Sequence, residues 1–292
     1  MQAICLAAGL GTRLRPITYH VPKPLFPIAG RPNLGRIIDD LNRSGFQHIV
    51  INAFHLKEKI KEYIVSNHPD CVISEEDELL GTGGGIKNAS RFLNFSSPIL
   101  VVNSDVVTNF PYEVLMDYHK GNNAFATLLL TDFGPLNSIK VDDEKVIGIN
   151  TGYREACLCF TGISVISPEF LSMCPNRYPF SSVDILKEAI KSGKAVRYLQ
   201  GEKIFKNFFW QDLGTPKGYL KAHELFLNFK GITPPTLHQD LKVIDWAWVD
   251  EDVKIPAHTT LCRCVVWPGT EIKTTTSFKD MVLTPYGVLN GG

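Results

Sequence analysis

The sequence predicts an α/β fold: a three-layer sandwich with helices on both faces of a mostly parallel, mixed sheet, followed by a short β-helix-like extension. Three observations carry this. Short apolar runs alternate with amphipathic segments up to about residue 122. Strand-like segments with little helix between them follow, and helices then resume. Past residue 239, apolar residues recur six apart. Alternating short strands and helices require a parallel sheet covered on both faces.

The elements follow in order. Residues 3–7 (Ala-Ile-Cys-Leu-Ala) read as a buried strand, and Ala8 to Arg13 as a glycine-rich loop. Leu34, Ile37, Ile38 and Leu41 fall at helical spacing between Asn33, a capping residue, and Gly45, a terminator. Strands are predicted at 48–52, 71–74 and 98–102, with a helix at 56–65 and a loop around Gly81. In the second part, strands are predicted at 125–130, 138–141, 146–149 and 159–166, and helices at 168–173, 182–191 and 216–229. Thr-Pro-Pro-Thr within 231–239 reads as a linker. Beyond it come Val249, Ile255 and Leu261, then Val266, Ile272 and Phe278. A six-residue period matches the rungs of a left-handed β-helix, and about two coils fit. Trp246, Trp248 and Trp267 are foreign to a clean repeat. The expected domains are 1–230 and 231–292.

Composition excludes several classes. The 292 residues are 44% hydrophobic and 21% charged, enough for a sizeable core without metal or disulfide support. Thirty basic residues balance thirty acidic ones. Zero net charge argues against a dedicated nucleic-acid binder, but leaves room for a small phosphorylated ligand. No apolar run approaches the roughly 18 residues of a membrane span, and Met1-Gln2 leads straight into the first apolar run without a targeting pattern. Seven cysteines include two C-x-C pairs and no C-x2-C knuckle, the pattern of buried reduced thiols in a cytosolic protein. The eight histidines are scattered and form no catalytic pattern.

The residues that carry chemistry begin at Leu6-Ala-Ala-Gly-Leu-Gly-Thr-Arg, followed by Pro22-Lys-Pro-Leu-Phe-Pro27. Gly9 and Gly11 let backbone N–H groups approach phosphate oxygens, while Arg13 and Lys23 add positive charge. A plain strand-to-helix turn explains the glycines but not Arg13, Arg15 and Lys23. The loop is not a dinucleotide fingerprint, since Leu14 stands where the third glycine is needed, and no G-x4-G-K-[ST] occurs.

This stretch resembles the N-terminal signature of the sugar-1-phosphate nucleotidylyltransferases. The resemblance continues through Leu80-Gly-Thr-Gly-Gly-Gly-Ile86, Val102-Asn-Ser-Asp105, Phe160-Thr-Gly-Ile163 and Trp210-Gln-Asp-Leu-Gly-Thr-Pro216, covering about residues 1–228. Within the family it is most similar to N-acetylmuramate-1-phosphate uridylyltransferases, with mannose-1-phosphate guanylyltransferases close behind. It implies a Rossmann-like sheet and attack of a sugar 1-phosphate on the α-phosphorus of a nucleoside triphosphate, UTP or GTP, with pyrophosphate leaving. By the same resemblance, Arg13 would hold the pyrophosphate and Lys23 the α-phosphate or sugar phosphate. Gly9, Gly11 and Thr12 would cradle the triphosphate. Ala7, Ala8, Gly81, Thr82 and Gly83 would line the base pocket. Asp105 and Asp212, one carboxylate from each half of the chain, would hold Mg2+ while phosphates complete its shell. Glu75 or Glu76 could accept a hydrogen bond from a base N–H.

Two departures stand out. Ser104 occupies a position where many members have Gly. A Glu-Lys-Pro motif that makes sugar contacts is replaced by Ile149-Asn-Thr-Gly-Tyr-Arg-Glu155, where Asn137, Lys140 or Arg154 could substitute; Gly162 is a further sugar-site candidate. A non-catalytic sensor on the same fold should have lost Arg13, Lys23, Asp105 or Asp212, and all four are present. Two coils are too few for an acyltransferase cleft. The extension is expected to cover a domain edge or to pair subunits into a homodimer.

Overall fold

The structure is a computed structural model that describes residues 1–150, 158–232 and 241–292. The chain divides into two compact units. One comprises Met1–Gly9, Gly35–Ser104 and Thr108–Trp210; the other comprises Leu10–Leu34, Asp105–Val107 and Gln211–Gly292.

The first unit is built on a nine-stranded mixed sheet. Its order is Val72–Glu75, His48–Ala53, Gln2–Leu6, Ile99–Asn103, Cys159–Ile166, Ala126–Thr131, Val196–Gln200, Lys145–Ile149 and Ile139–Asp142. The first four strands run parallel. Cys159–Ile166 is antiparallel to both of its neighbours. Gln2–Leu6 and Ile99–Asn103 are buried almost throughout, which is why they read as continuous apolar runs and not as alternating ones. Leu6 stands opposite Asn52 on one side and Asn103 on the other. Three strands therefore end at one rim, the rim where α/β sheets place ligands. The core joins Ile4, Val50, Val101, Leu128 and Ile166 of the sheet to Ile86, Phe170 and Ile185 of the helices.

The expected strands and helices are present, with ends shifted by one or two residues. The stretch expected as a loop is different: Gly81–Ser90 is a helix. Glycines are poor helix formers, but packing overrides propensity here. A Cβ on Gly83 would stand 2.6 Å from the Phe180 ring, and one on Gly84 2.8 Å from Tyr178. Only glycine lets this helix lie so close to residues 178–181. The helix Tyr112–Gly121 and the strand Val196–Gln200 lacked a clear sequence signal.

The second unit contains a five-stranded sheet. Lys242–Val249 pairs with Thr260–Val266 in parallel. Thr260–Val266 pairs in parallel with Ser277–Lys279 and Met281–Thr284, and Gly287–Asn290 closes the sheet as an antiparallel hairpin strand. The six-apart residues meet as expected: Val249, Leu261 and Val266 are buried in one cluster, with Ile255, Ile272 and Phe278 packed against it. These pairings establish a mainly parallel sheet; they do not establish the coils of a β-helix. The linker expected at 231–239 falls largely at 233–240, outside the described residues. The helix Pro216–Lys230 precedes it, capped by Thr215, whose hydroxyl accepts from Gly218 N, and ended by Gly231 at φ 60°.

Candidate active site

The second unit gathers the charged candidates. Gly11 adopts a left-handed φ of 61°, and a Cβ there would stand 2.7 Å from Thr18 Cγ2. Thr18 Oγ1 donates to Gly11 O at 3.0 Å, and Leu14 N donates to the same oxygen at 3.0 Å. The loop therefore needs glycine here for conformation as well as for space. Thr12, Arg13 and Leu14 form one short 3-10 turn after it, with Leu14 buried and Arg13 exposed.

Lys23 starts another 3-10 turn between prolines. Its ammonium donates to Asp105 Oδ2 at 2.6 Å. The lysine side chain is 9% exposed and the aspartate 32%. Asp105 also accepts, through its backbone oxygen, from Leu213 N at 2.8 Å. That bond sets the backbone of Asp105 against the residue following Asp212. Asp212 Oδ1 accepts from Gly214 N at 2.7 Å. A Cβ on Gly214 would lie 2.6 Å from Asp212 Oδ1 and 2.5 Å from Arg13 Nη2. Arg13 and Asp212 therefore abut the same point. Two lysine- and arginine-bearing turns and two aspartates converge within one unit, from four separate stretches of sequence.

This donor set fits a hard divalent cation such as Mg2+, which takes one or two carboxylates and completes its shell with water and phosphate oxygens. Among the described residues, no group of three or more His, Cys, Asp and Glu side chains is close enough to hold a metal. Bound phosphates would thus have to supply the remaining charged ligands.

The first unit gathers the residues proposed for the base. Ala7 N donates to Asn52 O at 2.9 Å. Asn52 Nδ2 donates to Glu76 Oε1 at 2.5 Å, and Leu80 N donates to Glu76 Oε2 at 3.0 Å. A Cβ on Gly85 would meet both Glu76 and Asn52, at 3.0 and 3.1 Å. Ala7 is thereby tied to the start of the Gly81–Ser90 helix through a buried Asn–Glu pair. Among the described residues, none but its own chain neighbours comes within 4 Å of a Cβ built on Gly9. Gly81 has φ 76°, Gly83 N donates to Phe180 O at 3.1 Å, and Thr82 Oγ1 accepts from Ser182 N at 3.0 Å.

Glu75 and Glu76 have different surroundings. Glu75 faces outward and accepts from Lys61 at 2.9 Å, with Lys57 at 3.7 Å; that hydrogen bond holds its carboxyl below the usual value. Glu76 is buried and accepts from Asn52 Nδ2 and Leu80 N. Strand alternation carries this signal, since Ser74 and Glu76 share a face that Glu75 does not. Asn52 has no comparable signal in the sequence.

The sugar-site candidates are dispersed. Gly162 has φ 79°, and its Cβ would stand 2.6 Å from Asn103 Nδ2, so Asn103 packs directly on it. Asn137 closes its own loop: Nδ2 donates to Asp132 Oδ1 at 2.8 Å and Oδ1 accepts from Phe133 N at 2.9 Å. The bond from Asn137 Nδ2, with that from Gly134 N, holds the Asp132 carboxyl low. Lys140 lies in the strand Ile139–Asp142. Arg154 and residues 151–155 of the departing motif lie outside the described residues. Ser104 is accommodated because its hydroxyl donates to Leu6 O at 2.7 Å.

Residues 2–137 match the nucleotidyl transferase family. Mannose-1-phosphate guanyltransferase of Saccharomyces cerevisiae is 30% identical over 248 residues, covering 78% of this chain and 65% of that protein. This chain thus spans about two thirds of the yeast relative's length. Mannose-1-phosphate guanylyltransferase catalytic subunit beta of Xenopus tropicalis is 29% identical over 269 residues, 87% of this chain and 73% of that protein. Among solved structures, HddC of Yersinia pseudotuberculosis complexed with GMP-PN superposes with a TM-score of 0.65 at 26% identity, covering 77% of this chain and 99% of HddC. A putative glucose-1-phosphate thymidylyltransferase of Bacillus anthracis shares the fold, with a TM-score of 0.68 at 18% identity over 77% of this chain and 94% of that one.

Proposed function

We propose, from the match of residues 2–137 to the nucleotidyl transferase family, that the chain transfers a nucleotidyl group from a nucleoside triphosphate to a sugar 1-phosphate. The supporting observation is the ion pair of Lys23 with Asp105, set beside the meeting of Arg13 and Asp212 at Gly214.

A sugar-phosphate oxygen is already an anion at neutral pH, so the reaction needs no general base. It attacks the α-phosphorus; the bond to the β-phosphate oxygen breaks and its electron pair leaves with pyrophosphate. The protein's work is orientation and charge neutralisation. Lys23 would meet the α-phosphate or the incoming phosphate. Arg13, exposed at its turn, would hold the pyrophosphate. Gly9, Gly11 and Thr12 would cradle the triphosphate, and Ala7, Ala8, Gly81, Thr82 and Gly83 would border the base. Glu76, in place of Glu75, would keep that border rigid. Asp105 and Asp212 would hold Mg2+, which when bound neutralises phosphate charge.

GTP is the first triphosphate to test, because the relatives are named guanylyltransferases and HddC was solved with GMP-PN; UTP is its competitor. Mannose 1-phosphate is the first sugar and N-acetylmuramate 1-phosphate the second. The catalytic part is assigned to 1–230 and the extension to 231–292, with pairing of two chains through the extension as part of the proposal. The free thiols fit a reducing, cytosolic address. A pyrophosphate-release screen over four triphosphates and a panel of sugar 1-phosphates tests the reading. Release with at least one pair supports it. Tight nucleotide binding without release across the panel would favour the sensor.

A further inference from the structure

The three tryptophans that interrupt the C-terminal repeat have no role in a six-residue stack, and two of them face the segment that carries Arg13 and Lys23. Trp267 is buried. Its backbone N–H donates to Leu283 O at 2.9 Å, which anchors it to the C-terminal sheet. Its ring meets Phe26 edge-on, with centroids 4.8 Å apart and planes at 87°. Its Nε1–H donates to Tyr219 Oη at 3.0 Å, and that hydroxyl in turn donates to Pro27 O. Phe26 N donates to Lys23 O at 3.0 Å. Trp267 thus holds the end of the lysine turn twice, through the Phe26 ring and through the Pro27 carbonyl.

Two further contacts repeat the pattern. The Trp248 ring stands 3.3 Å from where a Cβ on Gly30 would lie. At the hairpin, Tyr286 stacks on His20 with centroids 4.7 Å apart, and Gly287 fits against Pro16, whose Cγ would be 2.9 Å from a Cβ there. The sheet of the extension therefore touches residues 16, 20, 26 and 30 of the segment 10–34. An exposed arginine and a lysine on short 3-10 turns have few bonds of their own to fix them. A floor of buried aromatics, Phe26, Tyr219 and Trp267, supplies that rigidity without any contact to substrate.

We propose that Trp267 is a positioning residue: the C-terminal sheet, acting through Trp267, Tyr219 and Phe26, fixes the turn that presents Lys23. The role as chemistry rests on the nucleotidyl transfer reading; the role as a brace for residues 10–34 does not. It assigns the extension a part in turnover, beyond covering an edge or pairing chains.

The test uses the full-length chain and two readouts. The first is amide hydrogen exchange. Trp267→Ala should raise exchange across 10–34 while leaving the helix Lys57–Asn67 unchanged. Trp267→Phe, which keeps an edge-on ring, should restore most of the protection. The second is a double-mutant cycle on kcat. Trp267→Ala should lower kcat about tenfold or more in the wild type but less than threefold in a Lys23→Ala background, since residues acting as one unit are non-additive. Should Trp267→Ala fail to fold, Tyr219→Phe removes only the bridging hydroxyl and should give the same pattern, reduced in size. Val243→Ala, on the exposed face of the same sheet, should change neither readout. Unaltered exchange in 10–34, equal exchange gains in both regions, equal kcat losses in both backgrounds, or an equal effect of Val243→Ala overturns the proposal. If the wild type transfers no nucleotide in the screen, the functional reading fails while the exchange readout still judges the brace.

Discussion

Lys23 and Asp105 lie 82 residues apart in sequence and form a 2.6 Å ion pair whose lysine is nearly buried. The aspartate keeps a third of its side chain in solvent. Removing the lysine therefore leaves a charge that water can still reach. Lys23→Met should lower turnover by about 10²-fold, as expected for a lost charge at a developing phosphate charge, and raise the Michaelis constant for the triphosphate. Thermal melts should move by only a few degrees. Steady-state kinetics beside a melt checks both, and near-normal turnover contradicts the role.

Gly214 separates Arg13 from Asp212. A methyl group there would push against the arginine tip and the carboxylate oxygen. The arginine end is flexible and exposed, so the fold should tolerate Gly214→Ala. The site should not. Turnover is expected to fall toward that of Arg13→Ala, about 10²-fold below wild type. The informative comparison is the ratio of turnover loss to melting-temperature loss in the two variants. A Gly214→Ala enzyme with full turnover would show that the two groups need no fixed spacing.

Asp105 and Asp212 should behave as one unit. Their backbones are joined through Leu213 N–H to Asp105 O. Asp105→Asn and Asp212→Asn keep shape and remove charge. Each should cost several kcal/mol of barrier, and the double variant little more. Each single variant should also need more Mg2+ for half-maximal rate. Simple addition of the two losses on kcat would separate the carboxylates into independent roles.

His119 predicts an acid limit to stability. It is buried, with Nδ1 beside Thr127 Oγ1 at 3.0 Å, and burial lowers its pKa from the usual 6.5 to about 4. The folded protein thus disfavours the charged ring. The buried ring therefore costs nothing well above pH 6.5, and it destabilises the fold progressively as pH falls from there toward 4. At pH 5 the loss should be about 2 kcal/mol relative to pH 7. Urea unfolding at both pH values should show a smaller difference in His119→Gln than in the wild type.

The sequence by itself determined eight of the nine strands of the large sheet, helices such as Asn33–Arg43 and Lys57–Asn67, and the identity of the charged residues. Each of those is written in local pattern. Gln2–Leu6 is apolar because both faces are covered. Leu34, Ile37, Ile38 and Leu41 make one helical face. Gly11 and Lys23 sit in motifs whose residue types suit phosphate. What only the tertiary structure decided depends on partners far apart in the chain. Gly81–Ser90 is a helix because residues 178–181 pack against its glycines, which no local propensity encodes. Of the adjacent pair Glu75 and Glu76, only the second is buried, because Asn52 and Leu80 N wait for it. Trp267 spoils a repeat in one dimension; in three it is the floor beneath Phe26, because long-range packing, and not periodicity, fixes where a buried indole goes.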